Sequence, residues 1–150
     1  MDITGMMAPD RIVELATREK EEALVELATI LGKSAAVADG EGLTRAILNR
    51  EEIMSTGIGQ EFAVPHAKIN TVKSFAIAVG TCAEGMEYGS LDRLPVRVIT
   101  MIAAPEGEQN TYLKVLKRVT DVLRVKSNRN RIVELVAAGD GKQVIDLFRE

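Results

Sequence analysis

Residues 96–104 limit the choice of fold more strongly than any other segment. They form a nearly continuous apolar run between Pro95 and Pro105. A strand with one face in water alternates apolar and polar residues, whereas a strand covered on both faces is apolar at almost every position. The run therefore predicts a central β-strand that is covered on both faces and ends at Pro105.

Other periodic segments predict the elements that pack around this strand. Residues 74–81 alternate large apolar residues with Ala and Gly, which indicates a second strand. Apolar residues at helical spacing predict two helices in the first third of the chain and three helices after Pro105. The residues predicted to open these helices are, in chain order, Thr17, Asp39, Glu108 or Asn110, Ser127 or Asn130, and Asp140.

This order of helices and strands predicts a single-domain, layered α/β fold, in which a small mixed β-sheet is flanked by helices on both faces. The sequence assigns residues 1–10 to a flexible N-terminal tail and residues 11–150 to the domain. Residues 11–15 form a short apolar stretch that could begin a strand or an extended arm. The pattern does not choose between the two.

Composition argues against several classes of function. The 150 residues carry a formal net charge of -3 without a basic cluster interleaved with aromatic residues, so no nucleic-acid partner is expected. The single cysteine, Cys82, cannot form an internal disulfide, and no Cys or His pair has metal-ligand spacing, so neither a metal nor a cofactor is expected. The N-terminus lacks a signal-peptide pattern and no apolar run approaches ~20 residues, so we expect a cytoplasmic protein without membrane insertion.

The only histidine of the chain, His66, follows a Gly57-Ile58-Gly59 turn and Pro65. Imidazole has an unperturbed pKa of about 6.5, so a large neutral and nucleophilic fraction exists at pH 7. Glycines let a backbone approach a ligand closely, and a run of amide N–H groups can then face an anion. Pro65 favours extended backbone before it, so residues 62–64 are predicted to form a short strand that delivers His66 at its end. On residue type alone, a packed histidine without chemistry is the more common outcome.

The order of residues in this segment resembles that of a known family. Gly57-Ile58-Gly59 followed by Ala63-Val64-Pro65-His66-Ala67 is similar to the Gly-x-Gly-Asn-Gly-Ile-Ala-Ile-Pro-His signature of the fructose/mannitol-type (type 2) enzyme IIA domains of the bacterial phosphoenolpyruvate-dependent phosphotransferase system, including its nitrogen-regulatory branch. The resemblance covers nearly all of the chain after residue 10, and the family's fold is also a layered α/β domain. Gln60 and Glu61 stand where the family tends to have Asn-Gly, so Glu61 brings a negative charge near the implied phosphate site.

The resemblance implies a phosphate site around His66, which would be the phosphoryl acceptor and carry a tele-phosphohistidine intermediate. Arg50 lies on the apolar stripe of the second helix, where a guanidinium needs a partner or a cavity, and on residue type alone it would more often extend along the helix edge or pair with a carboxylate. The family has a functional arginine at this spacing before the histidine, so the resemblance favours a cation that faces the phosphate. Tyr112 stands where many members have a second histidine. Its phenol could donate one hydrogen bond to the phosphate, or its ring could simply pack in the core. The implied phosphate loop comprises Thr56, Gly57 and Gly59.

The implied function is that of a phosphocarrier. His66 would accept a phosphoryl group from the histidine-containing phosphocarrier protein and pass it to a cysteine-bearing enzyme IIB for sugar uptake. Two alternatives stay open at this point. The chain could be a nitrogen-branch regulator whose phosphorylation state controls binding to a target protein, or a transfer-incompetent interaction module of the same fold, which Glu61 and Tyr112 motivate.

Overall fold

The computed structural model describes all residues, 1–150, and contains one mixed five-stranded sheet. Its central pair is antiparallel, while one strand joins β4 and two short strands join β5, all in parallel. The strands are β1 (Ile12–Glu14), β2 (Phe62–Ala63), β3 (His66–Ile69), β4 (Ala76–Met86) and β5 (Val96–Pro105). Residues 12–14 thus form a strand, which settles the alternative that the sequence left open.

The prediction of a central strand covered on both faces is confirmed by β5. Every residue of β5 is buried except Arg97, which is partly exposed. The strand includes Pro105, which pairs with Ile69 at the end of the parallel ladder. Proline is tolerated at that position because the strand ends there and needs no further N–H donor.

Five helices cover the two faces of the sheet. They are α1 (Lys20–Leu31), α2 (Gly40–Ile53), α3 (Gln109–Leu123), α4 (Lys126–Ala137) and α5 (Gly141–Leu147). One apolar core lies between the sheet and α1 and α2, and a second lies between the opposite face and α3, α4 and α5. The predicted layered α/β fold is therefore confirmed. None of the helices combines the length and the apolar character needed to cross a bilayer.

The helix starts agree with the sequence in part. Asp39 and Asp140 accept hydrogen bonds from the amides of Gly42 and Gln143, at 2.9 and 3.1 Å, as N-caps do. The prediction of Thr17 as a cap is wrong, because α1 begins at Lys20 and the carboxylate of Glu19 accepts from the Glu22 amide at 2.7 Å. Since α4 already begins at Lys126, neither Ser127 nor Asn130 caps it.

The N-terminal residues pack onto the domain in place of the expected loose tail. Thr4–Met6 and Pro9–Arg11 form two short 3-10 helices, and Ile3 and Met7 are buried in the core beside α3, α4 and α5. No periodic pattern marks this segment, because the two buried side chains are isolated among small and polar residues. Packing of the domain therefore begins at Ile3 rather than at residue 11.

If Ile3 belongs to the core, Ile3→Ala will destabilise the protein. Ile3 has no exposed surface, so its truncation leaves a cavity and is expected to lower the free energy of unfolding by about 2–4 kcal/mol. Urea denaturation followed by circular dichroism measures the change. Ile53→Ala is the matched control, since Ile53 is 80% exposed. Equal midpoints for the two variants would show that residues 1–10 are a loose tail.

Candidate active site

The site is built on the edge of the sheet where β2 and β3 follow each other along β5. Pro65 separates these strands, because it has no N–H to donate to the ladder. Its carbonyl still accepts a hydrogen bond from the Ile102 amide at 3.0 Å, so pairing resumes at once and His66 lies opposite Ile102. His66 therefore begins β3, rather than standing at the end of a strand over residues 62–64 as the sequence predicted.

The ring of His66 is folded back onto its own chain. Its Nδ1 lies 3.0 Å from the carbonyl oxygen of Val64. A carbonyl can only accept, so Nδ1 carries the hydrogen and donates, and in the neutral ring the lone pair is then on Nε2. Nε2 has no hydrogen-bond partner in the protein, and His66 lines an open groove. The structure thus exposes one nitrogen of the ring as a nucleophile.

The surroundings of His66 favour the neutral ring. Burial lowers the pKa of His66, and the nearby cations Arg50 and Lys68 lower it further, while the Val64 carbonyl and the carboxylate of Glu51 act in the opposite direction. The net effect is a pKa below the ordinary value for histidine. A larger fraction of His66 is therefore neutral near pH 7 than for an exposed imidazole.

The groove beside His66 has a volume of about 480 Å³ and lies between the loop after α2 and the length of α3. Its walls combine cations with apolar side chains. The lining residues are Arg50, Met54, Ser55, Thr56, Ile58, Val64, His66, Leu113, Leu116, Lys117, Thr120, Asp121 and Arg124. Such a surface can accept an anion at His66 and an apolar contact around it.

Arg50 lies in the last turn of α2 and shares this groove with His66. Its Nη1 donates to the carbonyl of Met54 at 3.0 Å, and no carboxylate lies within ion-pair distance of its guanidinium. The buried stripe of α2 consists of Leu43, Ile47 and Glu51, and Arg50 is only partly buried. Arg50 therefore stands at the edge of the stripe, with its charge uncompensated beside His66.

The residue that sequence reasoning missed on this stripe is Glu51, which is 7% exposed. One carboxylate oxygen accepts from the Thr56 amide at 2.7 Å, and the other accepts from the Thr56 hydroxyl at 2.7 Å. Lys20 of α1 forms an ion pair with the same carboxylate at 3.1 Å. Its spacing could have revealed it, because Glu51 follows Ile47 by four residues and therefore lies on the same buried face of the helix. A buried carboxylate needs hydrogen-bond or ion-pair partners.

Tyr88 completes this buried network. Its hydroxyl lies 3.1 Å from the Thr56 hydroxyl, and the ammonium of Lys20 lies 4.2 Å from the centre of its ring. Lys20 also donates to the Tyr88 carbonyl at 3.1 Å. Burial raises the pKa of Tyr88 well above its usual value, and the nearby Glu51 carboxylate raises it further, so the phenol stays protonated. The network ties the end of α2, and hence Arg50, to the loop that follows.

The expected phosphate loop is arranged differently from the prediction. The Thr56 amide and hydroxyl are both bound to Glu51, and the Gly57 amide donates to the Ser55 hydroxyl at 3.1 Å. Neither Gly57 nor Gly59 lines the groove. A Cβ on Gly57 would lie 2.4 Å from Ser90 Oγ, so this glycine permits close packing of the loop against residues 88–90.

Gln60 and Glu61, which stand where the similar signature has Asn-Gly, adopt an unusual backbone conformation. Both residues adopt positive φ angles, 59° and 67°, directly after Gly59 at 122°. Asn and Gly tolerate this region best, and other residues lose roughly 1–2 kcal/mol there. The Gln60 amide donates to the carboxylate of Asp92 at 2.9 Å, which helps to hold the turn. Glu61 does not line the groove, so its charge is not placed at His66.

Tyr112 lies in the first turn of α3 and packs against the ring of His66. The ring centres are 5.3 Å apart and the planes are inclined by 49°. Tyr112 is only 5% exposed and joins the core, but its hydroxyl makes no hydrogen bond within the protein. Burial raises the pKa of Tyr112, so its hydroxyl is protonated and can donate. The structure therefore brings His66, Arg50, Thr56 and Tyr112 together.

We expect the titration of His66 to report the cations around it. Its Cε1 proton gives a single histidine signal in a proton NMR spectrum, since the chain has no other histidine. The midpoint should lie below about 6.5 in the parent chain. Arg50→Ala removes a positive charge that disfavours the imidazolium, so it should raise the midpoint. A midpoint that is unchanged in Arg50→Ala would place the guanidinium away from His66.

The Glu51 network predicts a stability difference between two adjacent glutamates. Glu51→Gln keeps the size of the side chain but turns an amide NH₂ toward groups that already donate, and it is expected to lower the free energy of unfolding by about 1–3 kcal/mol. Glu52→Gln, at an exposed position of the same helix, should change it by less than about 0.5 kcal/mol. Urea denaturation measures both changes. A loss in Glu51→Gln no larger than that in the control would contradict the network.

Comparison with known proteins shows the family to which this chain is similar. The family model described as "Phosphoenolpyruvate-dependent sugar phosphotransferase system, EIIA 2" matches residues 8–150. The fructose-specific EIIABC component of the phosphotransferase system of Bacillus subtilis is 37% identical over 151 residues, which cover 100% of this chain and 23% of that protein. The nitrogen regulatory protein of Bradyrhizobium diazoefficiens is 30% identical over 128 residues, covering 83% of this chain and 81% of that protein.

Solved structures agree with the fold. The nitrogen regulatory protein IIA-Ntr from Neisseria meningitidis aligns with a TM-score of 0.87 at 22% identity, over 97% of this chain and 98% of that one. The IIA mannitol protein from Escherichia coli aligns with a TM-score of 0.76 at 25% identity, over 94% of this chain and 97% of that one. Since the family model spans the strands, the helices and the groove around His66, the chain belongs to the type 2 enzyme IIA family of the phosphoenolpyruvate-dependent sugar phosphotransferase system.

Proposed function

We propose that this chain is a phosphocarrier of the phosphotransferase system and that His66 carries the phosphoryl group. The observation that carries the proposal is the anchored ring: Nδ1 of His66 is bound to the Val64 carbonyl, which leaves Nε2 without a partner on a ring that lines the groove. A neutral imidazole with one fixed nitrogen is a nucleophile of defined direction. The lowered pKa of His66 supports this role, because the lone pair is available near pH 7.

The transfer needs two balanced steps. In the first, Nε2 of His66 attacks the phosphorus of the phosphohistidine on the donor, the histidine-containing phosphocarrier protein. The Nε2–P bond forms as the donor's N–P bond breaks, and the donor's ring, which carries a hydrogen on its other nitrogen, leaves as neutral imidazole. In the second step a cysteine thiolate of enzyme IIB attacks the phosphorus, so that an S–P bond forms and the imidazole of His66 leaves. Throughout, Nδ1 keeps its hydrogen on the Val64 carbonyl.

The groove supplies positive charge for the phosphoryl oxygens, since transfer of this kind depends mainly on positioning and electrostatic stabilisation. Arg50 is the first candidate, because it lines the groove together with His66 and its guanidinium has no carboxylate partner. The Tyr112 hydroxyl, which makes no hydrogen bond within the protein, is a further donor. Contact of the phosphate with the amides of Thr56 and Gly57 would require these amides to leave Glu51 and Ser55.

Apolar side chains around the groove support docking of protein partners. Met54, Ile58 and Leu113 are exposed by 65%, 47% and 51%, and all three line the groove. Exposed apolar residues that cluster at one place mark interaction surfaces more often than isolated ones do. A complex of the Escherichia coli mannitol IIA enzyme with its phosphorylated IIB partner aligns with this chain at a TM-score of 0.77.

A second candidate is a nitrogen-branch regulator that acts through phosphorylation-dependent protein binding. The 30% identity to the Bradyrhizobium diazoefficiens protein favours it, while the 37% identity to the Bacillus subtilis protein favours sugar uptake. Both share the first transfer step and differ in the second. Loss of the label to a fructose-type IIB would support uptake, and retention of the label in its presence would support the regulator.

The test is phosphorylation by the purified general components. Phosphoenolpyruvate, enzyme I and the phosphocarrier protein should label the chain with one acid-labile, base-stable phosphate, and His66→Ala should abolish the label. Because His66 is the only histidine, acid-labile label that persists in this variant would overturn the assignment. Absence of any label on a folded parent chain would instead support the transfer-incompetent interaction module.

A further inference from the structure

Position 112 carries a tyrosine and not a cation, but a lysine lies beside this tyrosine in the structure. A tyrosine cannot become positively charged at pH 7. Lys68, however, places its ammonium 4.7 Å from the centre of the Tyr112 ring. Tyr112 in turn packs on the ring of His66, at 5.3 Å between ring centres. The three side chains therefore form a continuous stack, and His66 is its member that lines the groove.

The position of Lys68 follows from strand geometry. Side chains two residues apart in a strand point to the same face, and Lys68 is two residues after His66 in β3. The Lys68 ammonium is also held by Gln109 at the start of α3, to whose side-chain oxygen it donates at 2.7 Å. Gln109 and Tyr112 are one turn apart on that helix, so both restrict the same lysine.

The charge of Lys68 is not neutralised by its partners. The ammonium touches an amide oxygen and an aromatic ring, and no carboxylate lies within ion-pair distance. The charged groups that act on His66 are Arg50, Lys68 and Glu51. Of these, Glu51 is already paired with Lys20 and bound to Thr56, which leaves two uncompensated cations beside the ring.

We propose that Lys68, held against the ring of Tyr112, supplies the positive charge that stabilises phospho-His66 in this chain. The inference rests on the proposed function, because it concerns the phosphorylated ring. Arg50 approaches His66 from the end of α2, and Lys68 approaches from β3 and α3, so that a dianionic phosphoryl group would have a cation on each side. Tyr112 then acts as a positioning residue for the lysine.

The first measurement uses the unphosphorylated protein. Lys68→Met keeps most of the side-chain length but removes the charge, so it should raise the NMR titration midpoint of His66 by a few tenths of a unit. Lys68→Arg should restore the parent midpoint. Lys73→Met is the control, since it removes one positive charge from an exposed position that does not act on His66.

The second measurement is the lifetime of phospho-His66. Phosphoramidate phosphorylates imidazoles without any protein partner: its P–N bond breaks, the Nε2–P bond forms and ammonia leaves. Followed by phosphorus NMR, Lys68→Met should shorten the lifetime by about threefold to fivefold, the effect expected for one charge acting on a dianion through water-like surroundings. Lys68→Arg should retain the parent lifetime. In 1 M KCl the difference should largely vanish.

A third variant tests the positioning role of Tyr112. In a Tyr112→Leu background, which removes the aromatic platform, Lys68→Met should change the lifetime less than it does in the parent chain. Equal effects in the two backgrounds would overturn the positioning role of Tyr112. A Lys68→Met protein that matches Lys73→Met in both titration and lifetime would overturn the proposal as a whole.

The outcomes also separate this inference from the proposed function. If phosphoramidate labels His66 but the phosphocarrier protein does not, the proposed donor is wrong, while the lifetimes still test Lys68. If phosphoramidate does not label His66 in the folded protein, the phosphocarrier role itself is contradicted. The titration then decides alone whether Lys68 acts on the ring, and an unshifted midpoint rejects it.

Discussion

The site depends on one hydrogen bond, between Nδ1 of His66 and the carbonyl of Val64. This bond exists because Pro65 interrupts the pairing of the edge strand with β5 and leaves the Val64 carbonyl available to the ring two residues later. The ring is then fixed in both tautomer and direction. A local property of the Val-Pro-His sequence thus determines which nitrogen faces the groove.

The electrostatics of the groove reconcile a buried ring with a charged product. Burial and two nearby cations favour the neutral form of His66, and in the proposed transfer the same cations would oppose the negative charge of a phosphoryl group. Burial alone would favour the neutral ring but penalise the phosphorylated one. Unpaired Arg50 and Lys68 would provide the compensation, while the one buried carboxylate nearby, Glu51, is occupied by Lys20 and Thr56.

Strong periodic signals predicted most of the fold. The apolar run of β5 indicated a strand covered on both faces, and helical spacing located all five helices. The wrong predictions have one cause: contacts between residues distant in sequence determine these features. Ile3 is buried by α3 to α5, which no local pattern reveals. Thr17 resembles a cap, but its hydroxyl donates to Glu22 at 2.8 Å, and the helix begins after Glu19.

The features of the site that depend on residue type and order could be predicted from the sequence. His66 and Arg50 stand where the motif suggested, in one groove. The role of Gly57 was not predictable, because its lack of a side chain serves packing against Ser90. Lys68 was missed because its importance depends on Tyr112, which reaches it from another element. The available signal was the alternation of side chains along β3, which places Lys68 on the same face as His66.

The central claim is that Nε2 of His66 is the reactive atom. It is tested most directly by phosphorylating the uniformly ¹⁵N-labelled chain and recording long-range proton–nitrogen correlations of the His66 ring. The anchored Nδ1 predicts that the phosphorus is bonded to Nε2 and that Nδ1 keeps its hydrogen. A phosphorus–nitrogen bond at Nδ1 would contradict the account, because it would require the ring to break its bond to Val64 and turn over before reacting.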